Sequence, residues 1–166
     1  MRKTKKIINL MKYLQLSAAI LFLIIAPLFS LAQQPIERKH LNLENGVAIK
    51  GYDPVSYFTD KKPIKGTKEY SFVHLGTTYQ FATEENLNAF KSTPEKFQPE
   101  YGGWCAFAMS VSGEKVEVDP ETFKIIDGKN YLFYNFYFTN TLKKWNQDEA
   151  NLKPVADQNW AQILGN

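Results

Sequence analysis

The chain has 166 residues, with 20 Lys+Arg against 17 Asp+Glu and one cysteine. A lone cysteine excludes an intramolecular disulfide, so a folded domain of this size must rest on its apolar core. The positive charge is confined to one end: Arg2, Lys3, Lys5, Lys6 and Lys12 all precede an uncharged apolar run from Ala18 to Phe29. Without residues 1–32 the balance is 15 basic against 17 acidic residues, net −2, which removes the electrostatic case for a nucleic-acid partner.

A basic start followed by an apolar run and the small-residue site Ser30-Leu31-Ala32 reads as a secretory signal peptide over 1–32, cut after Ala32. The competing reading is a retained anchor, since Leu14 to Ala32 is nineteen residues, but Gln15, Ser17 and Pro27 weaken that stretch. The expectation is an exported protein, periplasmic or extracellular, with no stable membrane span after cleavage.

Residues 33–46 read as a polar lead-in, with structure expected to begin at the turn Asn45-Gly46 and a single domain over 47–166. After Gly51-Tyr52-Asp53, Pro54 predicts a turn and then a short strand or extended segment rather than a helix. Tyr70 to Leu75 and Thr78 to Phe81 predict a hairpin about Gly76-Thr77, with Tyr70, Phe72 and His74 on one face and Ser71, Val73 and Leu75 on the other. Thr83 followed by Glu84-Glu85 predicts a helix N-terminus, with Leu87 and Phe90 on one face and an end before Pro94. Pro94 to Phe97 then opens a short turn.

The glycine pair Gly102-Gly103 marks a loop. Trp104 to Ser112, closed by Gly113, fits a short helix, although a buried strand has the same pattern. Lys115 to Val118 alternates as a strand, and Asp119-Pro120 predicts a turn. Phe123 to Ile126, Asp127-Gly128 and Lys129 to Phe138 predict a second hairpin through a type I′ turn. Its second arm is apolar on both faces, as in a central strand. Thr139 to Asn146 and Pro154 to Leu164 predict a helical tail with Ala156, Trp160, Ile163 and Leu164 in a stripe.

Few residues point to chemistry. Cys105, after the glycine pair, would stand in the first turn of a helix, where free amide N–H groups favour thiolate. Both histidines, His40 and His74, precede it, so a papain-like order is not met and a thiol enzyme is the weakest reading. Cys105 and Met109, four apart, form the one soft donor pair, suited to Cu(I). Set against this, Met109 as a core residue explains the same spacing. Asp53, Asp119 and Asp127 each adjoin Pro or Gly and are explained by turn chemistry. Candidate ligand contacts are Cys105, His74, Tyr52 and Asp53; no catalytic residue is assigned.

Together, Gly51-Tyr-Asp-Pro-Val-Ser-Tyr-Phe58, Thr78-Tyr-Gln-Phe81, Phe90, Pro94-Glu-Lys-Phe97 and Tyr101-Gly-Gly-Trp-Cys-Ala106 resemble the YHS domain family, more closely its exported bacterial branch. Metal-binding members of that family place thiols at three positions that here hold Ser56, Ala82 and Asn86. The resemblance therefore implies that the usual metal site is not carried over. The fold expected is α+β, a small twisted antiparallel sheet built from the two hairpins with short helices against it. The function expected is a non-catalytic module that binds a metal ion, copper-like, or a small ligand near Cys105. The alternative is a structural or protein-interaction domain in the periplasm.

Overall fold

A computed structural model describes residues 36–165. The predicted export segment lies outside them. Order begins before Asn45: Arg38–His40 form a 3-10 turn and β1 (Leu43–Glu44) pairs antiparallel with β2 (Val47–Ala48). His40 is buried although the surrounding stretch is polar in sequence. Its burial comes from docking onto the glycine pair: Asn42 N–H donates to Gly102 O at 2.8 Å, and Trp104 Nε1–H donates to His40 O at 2.8 Å.

Pro54 does not lead into a strand. Val55 is helical and α1 (Ser56–Thr59) follows at once, because proline is tolerated in the first turn, where its missing N–H would have no intrahelical partner. β3 (Thr67–His74) and β4 (Thr77–Phe81) form the first hairpin; its turn residues are Leu75 and Gly76, one position earlier than predicted, both with positive φ. The faces are as expected, with Tyr70 and Phe72 packed on the core and Val73 and Leu75 exposed. The sheet order is β1-β2-β4-β3, with β2 and β4 parallel. Thr83 caps α2 (Glu84–Ser92), its hydroxyl accepting from Asn86 N–H at 3.2 Å, and α3 (Pro94–Phe97) opens on its proline.

Trp104 to Ser112 resolves as helix α4 (Ala106–Val111), ended by Gly113 at φ 68°. Lys115 to Val118 is irregular rather than a strand; the second hairpin begins at β5 (Asp119–Ile126), which absorbs Asp119-Pro120 ahead of a register shift. β6 (Lys129–Phe133) ends five residues sooner than the pattern predicts, and β7 (Asn135–Phe136) with β8 (Thr139–Asn140) forms a separate hairpin. The tail is α5 (Thr141–Trp145) and α6 (Glu149–Gly165), which starts before Pro154.

The fold is α+β with short helices against small, mainly antiparallel sheets. The two large hairpins, however, lie in different sheets. β6 has only β5 as a strand partner, yet Tyr131, Leu132 and Phe133 are all buried. The reason is packing: Leu132 joins a cluster with Val55, Tyr57, Phe81 and Phe90, while Tyr131 and Phe133 join a second with Met109, Trp145 and Trp160. The second cluster is pinned at its edge by Glu149, which accepts from Trp145 Nε1–H at 2.8 Å and pairs with Lys124 at 2.6 Å. The Lys124 hydrogen bond holds the Glu149 carboxyl below its usual range against the opposing effect of burial.

The β7–β8 hairpin is closed by Tyr137 and Phe138 alone, at φ 49° and 63°. Positive φ at both central residues is the requirement of a type I′ turn, which Asn-Gly meets without strain and bulky side chains do not. Replacing the pair by Tyr137→Asn with Phe138→Gly should stabilise the fold by about 1–2 kcal/mol, read as a higher thermal midpoint. A lower midpoint would contradict a strained turn.

Candidate functional site

The predicted contacts do not converge on Cys105. The thiol is fully buried, and its hydrogen-bond partners are the Tyr134 N–H at 3.3 Å and the Thr141 hydroxyl at 3.4 Å. Cys105 precedes α4 rather than lying inside its first turn, and its own N–H is taken by Val116 O. It packs in the first cluster, whereas Met109 packs in the second. The soft pair predicted from spacing is thus divided between two cores, with both side chains enclosed.

His74 stands on the β3 face with its ring against Phe72 and Phe90, at 6.4 and 6.0 Å between centroids. Tyr52 turns to the opposite neighbourhood. Its hydroxyl donates to Glu121 Oε1 at 2.8 Å, and Lys65 Nζ lies 4.0 Å from the ring centre. Burial, with the Glu121 hydrogen bond second, pushes the Tyr52 hydroxyl up to about 12.

Asp53 is the candidate with the densest surroundings. The Asp-Pro-Val sequence forms an Asx turn, Oδ1 accepting from Val55 N–H at 2.8 Å. Oδ2 accepts from Ala82 N–H at 2.9 Å and from Asn86 Nδ2 at 2.7 Å. Ser56 Oγ donates to Asp53 O at 2.8 Å and accepts from Ile64 N–H at 3.1 Å. Ser56, Ala82 and Asn86, the positions where the family resemblance places thiols, therefore gather around Asp53, the last two on its fully buried carboxylate and Ser56 on its backbone carbonyl. Every contact onto the carboxylate oxygens comes from an N–H group, and such a shell stabilises an anion rather than vacating lone pairs for a cation. Ala82 offers no side-chain donor atom at all. These residues do not fit a transition-metal ion. Among the described residues, no group of three or more His, Cys, Asp and Glu is placed to hold one.

Sequence reasoning missed a different buried group. Asn130 on β6 is wholly enclosed, and neither its Nδ2 nor its Oδ1 has a hydrogen-bond partner among the described residues. It is bridged to Pro99, which with Gln98, Tyr79, Leu41 and Gly102 lines a narrow cleft beneath the N-terminal arm. Gln98 Nε2 donates to the Tyr79 hydroxyl at 3.1 Å inside that wall. The cleft's free volume is about 10 Å³, room for one water. Burial, then the neighbouring Lys115 and Lys39 charges, lower the pKa of the arm's own His40. The Lys115 ammonium has only donors, so His40 Nδ1, 3.3 Å away, must accept. No pattern in the sequence marks Asn130, because one polar residue in an alternating strand usually reads as solvent-facing.

Asp53→Ala should cost about 3 kcal/mol, since it leaves one buried and two part-buried donors unpaired, and Asp53→Asn should cost somewhat less because one acceptor remains. Urea unfolding curves measure both. A change within about 0.5 kcal/mol for Asp53→Ala, the size of an ordinary surface substitution, would contradict the role given to the carboxylate.

The sequence model of the YHS domain matches residues 55–101. That span runs from the Asx turn through the first hairpin, α2 and α3 to Tyr101, and contains all three positions around Asp53. No curated protein and no solved structure matches the chain.

Proposed function

We propose that this chain, which carries a YHS domain over residues 55–101, is an exported, non-catalytic module that binds a small ligand through Asn130. The observation that supports this most is the Asn130 carboxamide: a donor and an acceptor side by side, both fully enclosed, with no partner among the described residues. Leaving such a group unpaired costs about 1–3 kcal/mol, so a complementary donor–acceptor pair that reaches it by widening the one-water cleft beside Pro99 gains that much. A ligand carrying an amide or carboxylic acid has that complement, and a single buried water has a smaller version of it.

The non-catalytic reading rests on the state of the reactive groups. The Asp53 carboxylate is saturated with hydrogen bonds, and the Cys105 sulfur is enclosed with Tyr134 and Thr141 rather than beside a base. The copper-like version of the binding reading draws on the family match and the pair Cys105 and Met109. We prefer the small ligand because the two sulfur residues belong to different clusters. Export to the periplasm or beyond belongs to the same proposal, resting on the basic and apolar N-terminal pattern.

Native mass spectrometry of protein recovered from the exported fraction, beside its Asn130→Leu variant, tests the binding reading. The expected result is a bound mass in the parent that the variant loses, together with movement of the Asn130 side-chain NH₂ resonances on titration with acetamide. An unliganded parent whose Asn130 resonances ignore acetamide would sink the proposal. Copper retained through reducing purification and lost in Cys105→Ala would favour the metal version instead.

A further inference from the structure

A second surface stands apart from the Asn130 cleft and is independent of that reading. The tip of the β7–β8 hairpin exposes Tyr137 at 89% and Phe138 at 111%, next to Phe136 at 38%. Two unfavourable choices coincide there: bulky residues in left-handed backbone, and aromatic surface left in water. Among the described residues neither the Tyr137 nor the Phe138 ring packs on another ring or under a cation. Nothing inside the fold accounts for placing them there.

The stalk beneath the tip is fixed. Asn135 Nδ2 donates to Thr122 Oγ1 at 3.0 Å and to Asp119 Oδ2 at 3.3 Å. The Phe136 ring meets Tyr134 at 5.0 Å and lies 5.5 Å from Lys50 Nζ. The tip is thus held out from the body on a braced hairpin.

Charge and size select the occupant. From Gly128 to Gln147 the chain carries no acidic residue, although residues after 32 net −2 overall; Lys129 there pairs with Glu100 at 3.0 Å, which leaves Lys143 and Lys144. Lys143 and Lys144 are exposed in the helix that leaves the hairpin. Of the acids near the stalk, Glu117 pairs with Lys50, while Asp119 and Glu121 bond neutral groups below the tip (Thr122 and Asn135, and Tyr52) and keep their charge there. Three rings of roughly 150–250 Å² each fall short of the ~800 Å² that a stable protein interface needs from one partner. A convex wedge of that size suits the headgroup layer of a bilayer, where aromatic rings with a polar edge settle and lysines meet anionic lipid. We propose that Phe136, Tyr137 and Phe138 insert into the interface of an anionic membrane, with Lys143 and Lys144 supplying the attraction.

The test is Phe138→Trp in the full chain, its emission taken as the difference from the parent chain. Vesicles of phosphatidylglycerol and phosphatidylcholine are added, with and without brominated acyl chains. The indole at the tip reports its own insertion, whatever else holds the protein to the vesicle. A blue shift with bromine quenching, weakened on pure phosphatidylcholine and in Lys143→Gln/Lys144→Gln, is the expected result. Emission that stays unmoved while the vesicles carry the protein down would overturn the proposal. So would an equal response on neutral vesicles, or a shift produced only by a protein partner.

Discussion

The carboxylate of Asp53 is the constraint on which the first half of the domain depends. It is fully buried, and an ionised carboxylate is tolerated there only when donors surround it. Its three donors come from three places in the chain: the turn that starts α1, the end of β4 and the first turn of α2. Ser56 adds Ile64, on the strand side of the intervening loop, through its hydroxyl. One side chain thereby fixes how the helix after Pro54, the first hairpin and α2 sit against each other. The aromatic cluster of Tyr57, Tyr79, Phe81 and Phe90 fills in behind that arrangement.

The second half is organised by two elements that face both ways. β6 sends Leu132 into the first cluster and Tyr131 and Phe133 into the second, and the α4 region does the same with Cys105 and Met109. The lone thiol is fully buried in the first cluster, with Tyr134 and Thr141 as its hydrogen-bond partners. The arrangement also makes Asn130 conspicuous. Asn130 shares the Leu132 side of β6, and among the described residues its carboxamide has neither donor nor acceptor satisfied.

Much of this was legible in the residues themselves. The period-two pattern of β3 placed Tyr70 and Phe72 on one face and Val73 and Leu75 on the other, Thr83 announced the start of α2, and Asp127-Gly128 marked the second hairpin turn, because these signals act within a few residues. What failed required long-range knowledge. The polar stretch around His40 gave no hint that Gly102 and Trp104 would bind its backbone. The double-sided apolar arm of β6 suggested neighbouring strands, but clusters on both faces supplied the burial instead. Asp53 was correctly read as turn chemistry, and that reading was incomplete: the Asx turn consumes Oδ1, while Oδ2 reaches residues about thirty positions away. Spacing four apart joined Cys105 to Met109 in the sequence, yet the two side chains pack in different clusters.

Within the span that matches the YHS model, Ala82 and Asn86 close on the Asp53 carboxylate and Ser56 on its backbone carbonyl, a hydrogen-bonded clasp. Native-state amide hydrogen exchange at Val55 and Ala82 tests this most directly. If the Asp53 clasp holds the domain closed, both amides exchange only with global unfolding, at the free energy of the Phe81 and Phe90 amides in the core. Exchange at Ala82 through a low-energy local opening, with Phe81 and Phe90 still protected, would contradict it.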